Sequence, residues 1–160
     1  MRALAAIFTL ALLTGCGHEP YYGRDVATTQ PKKEDVVGSY ALTHENISAI
    51  PEVRQCELNL KPDGTFSVTN YPAWTDPYSP TSHQFVAFIS TTGRWSFDWI
   101  GGFTQDTTNY KIWGVCFEAA DSKVRQMAIT GKAPPYDGLV MTYGDPDSYR
   151  TMLFDRKKKP

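Results

Sequence analysis

Across most of the chain from Val36 onward, apolar residues recur at every second position, and no stretch of helix length holds a 3.6-residue period. This alternation constrains the fold more than any other feature. A strand with one buried face requires period two, because successive side chains leave opposite sides of the backbone. Tyr40 and Leu42 share one face of a first run, and Leu58 and Leu60 alternate with Glu57, Asn59 and Lys61 in a second. Pro62-Asp63-Gly64 follows, and Phe66 and Val68 resume the alternation. Two such runs around this turn predict a β-hairpin, the glycine supplying positive φ. Further strands are expected over 83–90, 92–99, 110–118, 123–129, 139–143 and 149–154, with Thr92-Gly93 as a turn and Gly101-Gly102 and Asp106-Thr107 in a loop. The segment 70–82 holds three prolines and reads as a long loop exposing Trp74, Tyr71 and Tyr78. The expected domain, residues 35–156, is all-β: an antiparallel meander β-barrel of about eight strands or, alternatively, a β-sandwich.

Composition narrows the function. The chain has 160 residues, enough for one domain with a real core. Its 16 Lys+Arg against 17 Asp+Glu leave a net charge of −1, which argues against a nucleic-acid partner, since phosphate backbones are met by an excess of cations. Aromatic content of 13% is too high for a disordered chain.

The N-terminus reads differently from the rest. Met1-Arg2 is followed by an apolar run from Ala3 to Leu13 that is interrupted only by Thr9. As a helix this run is roughly 16 Å long, about half the hydrocarbon thickness of a bilayer, so it fits a secretory signal better than a span. Leu13-Thr14-Gly15-Cys16 then resembles the lipobox of bacterial lipoproteins. That resemblance implies removal of residues 1–15 as a signal peptide and acylation of Cys16, with the lipid bilayer as first partner. Two or three acyl chains, at about 0.8 kcal/mol per buried methylene, hold a domain to a membrane. It also implies a bacterial cell-envelope location, and Gly17 after the cysteine tilts this toward the outer membrane, facing the periplasm or surface-exposed. Residues 16–34 read as a flexible tether and 157–160 as a basic tail, either solvated or touching anionic headgroups.

A second resemblance rests on Val37-Gly38-Ser39-Tyr40, the Leu58 to Phe66 hairpin, Gly93-Arg94-Trp95 and Met152-Leu153-Phe154-Asp155-Arg156. Together these look like the small lipocalin-like lipoproteins of bacteria. The resemblance implies an eight-stranded barrel, each strand paired with the next, that takes a small apolar ligand or lipid.

No motif carries catalytic chemistry. His18, His44 and His83 are isolated, no metal-ligand spacing is present, and neither a nucleophile elbow nor a phosphate loop occurs, so a non-enzymatic protein without cofactors is expected. Cys56 and Cys116 are a candidate disulfide in an oxidising compartment or, failing that, two buried thiols. Trp95, Trp99 and Trp113 either fill the barrel or line a ligand cavity. Trp74, Tyr71 and Tyr78 in the 70–82 loop raise an alternative: a protein-binding module, such as an envelope assembly factor, an inhibitor or an immunity protein.

Overall fold

A computed structural model describes residues 24–45, 54–75, 84–119, 123–143 and 150–158. The period-two runs become eight strands: β1 Gly38–Glu45, β2 Glu57–Leu60, β3 Thr65–Trp74, β4 Phe85–Gln105, β5 Thr108–Ala119, β6 Met127–Thr130, β7 Gly138–Thr142 and β8 Thr151–Arg156. Each pairs antiparallel with the next, and β1 pairs with β8, so the sheet closes into a barrel in simple meander order. The barrel alternative therefore holds over the sandwich. Pro62-Asp63-Gly64 turns the first hairpin as its residues dictate, with Gly64 at φ +84° and the Asp63 carboxylate accepting from the Thr65 N–H at 2.9 Å. The Thr65 hydroxyl, donating to the same oxygen at 2.7 Å, and then that N–H hold the Asp63 carboxyl below its ordinary range.

Two expected strands, 83–90 and 92–99, are one. Thr92-Gly93 lies inside β4, where Gly93 pairs with Phe66 on one side and Ala119 on the other. A Cβ at Gly93 would lie 2.0 Å from the Glu118 carbonyl oxygen and 2.8 Å from the Phe66 ring. The glycine marks a close approach at a barrel corner, a use it shares with turns. Gly101-Gly102 likewise stays in β4, and the chain reverses only at Asp106 and Thr107, at φ +47° and +69°.

The tether expected over 16–34 ends earlier than its composition suggests. Asp25 to Ala27 is part of the wall. The Ala27 N–H donates to the Ile129 oxygen at 2.9 Å, the Trp113 N–H donates to the Ala27 oxygen at 2.9 Å, and the Gly131 N–H donates to the Asp25 oxygen at 2.7 Å. β5 and β6 pair only at Gly114 with Ala128 and Val115 with Met127, so they diverge and leave backbone groups that need partners. Residues 25–27 fill that gap, with Ala27 facing the interior cluster and Val26 an outer one. A short helix, α1 (Lys33–Val36), then lies over one barrel end.

Strand direction sorts the connections between two ends. The upper end holds α1, the 61–64 turn, the β4–β5 hairpin, the 131–137 loop and the end of β8. The lower end holds the end of β1, the start of β2, the end of β3, the start of β4, the end of β5, the start of β6, the end of β7 and the start of β8. Inward-facing Tyr40, Leu58, Phe66, Met127, Leu139 and Phe154 are each 1% exposed or less and form one continuous core. A smaller outer cluster joins Val26, Ile112, Ala128, Val140 and Leu153, with Ile100 packed against it.

Candidate functional site

The aromatic residues singled out in the sequence divide into three groups. Tyr71, Trp74 and Trp95 are at most 5% exposed and belong to the interior core, and Trp113 packs against it. Trp99 is 56% exposed. Tyr78, like Cys16, lies outside the described residues. Trp74 corrects the expectation of an exposed recognition loop: β3 runs on through Tyr71, Pro72 and Ala73, and Trp74 turns inward. Its ring meets Tyr143 edge-on at 5.3 Å and Phe85 at 6.4 Å, an arrangement that aromatic quadrupoles favour. Tyr71 is fully buried, its hydroxyl donating to the Met141 sulfur at 3.2 Å; burial and neighbouring Tyr143 push that hydroxyl well above its ordinary range.

The upper end is closed by side chains. Val36 of α1 is fully buried, and the Tyr40 hydroxyl beneath it donates to the Val36 carbonyl oxygen. Burial pushes the Tyr40 phenol up to about 12, partly offset by the Arg156 guanidinium. That guanidinium donates to the carbonyl oxygens of Asp35 and Val37, both at 2.6 Å, and so ties a four-residue helix that could not persist alone. On the other flank, Trp95 donates to the Lys61 oxygen at 3.1 Å while the Lys33 ammonium stands 5.4 Å from its ring centroid.

Outside this closure an open groove of about 720 Å³ runs between α1, the 131–137 loop and the end of β8. Glu34, Asp35 and Asp137 give it carboxylates, Arg156, Lys157 and Lys158 cations, and Pro134 and Pro135 an apolar surface to which Tyr136, 4% exposed, adds little. Its volume lies within the range typical of small-molecule sites. The groove was not foreseen from the sequence. Pro134-Pro135 and the basic tail were each legible as loop and terminus, but nothing in the spacing joins residues a hundred positions apart.

The candidate disulfide is also corrected. Cys56 and Cys116 are free thiols. Cys56 is 1% exposed within the interior core, whereas Cys116 alternates with inward-facing Val115 and Phe117 and so faces outward on β5. The barrel wall separates them. Burial, then Glu57, pushes the Cys56 thiol up to about 12, and burial, then Asp98, raises that of Cys116, so at neutral pH neither is a ready nucleophile. Among the described residues no three His, Cys, Asp or Glu side chains gather as a metal site, and no helix is long and apolar enough to cross a membrane. No family model, no curated protein and no solved structure matches the chain.

Proposed function

We propose that this protein is a lipid-anchored lipoprotein of the bacterial envelope that acts by binding and performs no chemistry of its own. Its ligand, small and apolar or lipid-like, sits in the groove at the upper end and not inside the barrel. The groove supports this reading: it is an opening of ligand size in which Pro134 and Pro135 stand beside charged groups suited to a lipid headgroup, whereas Tyr71, Trp74 and Trp95 fill the interior. The anchor rests on Leu13-Thr14-Gly15-Cys16. With Trp74 buried, the main reason for a protein-binding loop is gone. Titration with a fluorescent fatty-acid analogue tests the groove. Pro135→Asp is expected to weaken binding about tenfold, equivalent to ~1.4 kcal/mol. Binding that survives this change, with folding verified by circular dichroism, refutes the groove as the site.

A further inference from the structure

The β4–β5 hairpin outgrows the barrel. β3 accompanies β4 only as far as Arg94, and β6 accompanies β5 only from Gly114, yet β4 and β5 stay paired out to Gln105 with Thr108. Among the described residues, 101–112 thus form a two-stranded ribbon with no further paired strand at either edge, apart from Ala27 beside its base. Large side chains at its base and along it are left in solvent: Trp99 at the base is 56% exposed, Phe103 39% and Tyr110 38%. They lie on both faces. A register shift between Trp99 and Gly101 places Trp99 with Trp113 and Lys111 on one side, the Lys111 ammonium 5.1 Å from the Trp99 ring centroid. On the other side Phe103 and Tyr110 stack at 5.2 Å.

The direction of the leader says what this ribbon meets. Val26 pairs antiparallel with Thr130 of β6, so residues 25–27 run parallel to β5, and Ala27 lies beside Trp113. Followed backward from Ala27, residues 27 to 24 therefore run toward the ribbon tip. Arg24 lies level with about Tyr110, and the tip stands roughly 10 Å beyond it. Cys16 and Arg24 are eight positions apart, a reach of at most ~28 Å. We infer that the β4–β5 ribbon is a second membrane contact, its rings resting in the interfacial layer of the bilayer that holds the acyl chains. This rests on the lipid-anchor reading above.

The side chains suit that layer. Trp and Tyr settle where one edge is apolar and the other wet, and Lys111 beside Trp99 meets lipid phosphate. Gln105-Asp106-Thr107-Thr108-Asn109 at the tip is polar throughout, which keeps the ribbon along the interface and out of the hydrocarbon. A sugar-binding platform needs rings on one face, whereas here both faces carry them.

The test uses the protein expressed from its whole sequence in a bacterium, extracted from the cells and reconstituted in vesicles of phosphatidylethanolamine and phosphatidylglycerol, with and without acyl-brominated phosphatidylcholine as a shallow fluorescence quencher. Mass spectrometry of the N-terminal peptide reports the anchor, and the emission difference between wild type and Trp99→Phe reports the ribbon. The expected result is that brominated vesicles abolish that difference. An acylated protein whose Trp99 emission is unchanged overturns the ribbon contact and leaves the anchor standing. Cys16 without acyl chains overturns both. A Trp99 that responds to peptidoglycan fragments and not to vesicles also overturns the contact, in favour of a glycan.

Discussion

Gly93 and Cys56 show how much one side chain decides inside a closed wall. At Gly93 a methyl group would meet the backbone oxygen of Glu118 at 2.0 Å, and backbone cannot move aside as a flexible side chain would. Gly93→Ala is expected to cost about 2–4 kcal/mol, seen as a lower urea midpoint at unchanged slope. Cys56 acts through protonation. Its thiol rises from the ordinary 9.0 to about 12, so the folded barrel holds a proton that the unfolded chain releases. The stability this contributes is complete below about pH 9 and is lost as pH climbs through the folded value. Cys56→Val removes that liability, and its alkaline unfolding midpoint, followed by near-ultraviolet circular dichroism, should lie above that of wild type. A midpoint that does not move would place the alkaline sensitivity elsewhere, with Tyr40 the next group to test.

At the scale of elements, the alternation predicted strands well and their ends less well. Leu58, Leu60, Phe66 and Val68 announced a hairpin because pattern and turn chemistry agreed. Gly93 misled because glycine serves both turns and tight barrel corners, and only the neighbouring strands distinguish the two. Cysteine spacing could not tell which thiol faced inward, since register shifts such as that between Leu42 and His44 change the parity along a strand. Asp25 to Ala27 had no apolar period to betray them, because three residues are too few to show one. Their wall position has a consequence that a flexible tether would not have. Ala27 is fully buried, so Ala27→Asp should destabilise the barrel by about 3 kcal/mol in a thermal melt, through an unpaired buried carboxylate. Replacing residues 102–111 by Asn-Gly, which joins the directly paired Gly101 and Ile112, should by contrast leave stability within about 1 kcal/mol, because among the described residues the removed ribbon has no further strand beside it.

For the molecule as a whole, closure of the barrel makes the two ends different objects. The leader, ribbon, α1, groove and basic tail converge at the upper end, although they come from opposite ends of the sequence. The proposed anchor at Cys16 rests on its neighbours Leu13, Thr14 and Gly15 alone; the end of the barrel that would face it follows from the direction of three wall residues. On the lipid-anchor proposal, an anchor eight positions from the fold would keep the ribbon near the bilayer at high effective concentration, and this can be varied without touching any contact. Twenty Gly/Ser residues inserted between Gly17 and Arg24 lengthen the tether from 8 to about 28 residues. Effective concentration falls as roughly the −3/2 power of length, so occupancy of the weak second contact should drop about sixfold. Quenching of Trp99 by brominated lipid reads that drop, while acylation at Cys16 and the melting temperature stay as they were. Quenching unaffected by tether length would mean that the ribbon binds the bilayer tightly by itself, and the acyl chains would then be the secondary contact.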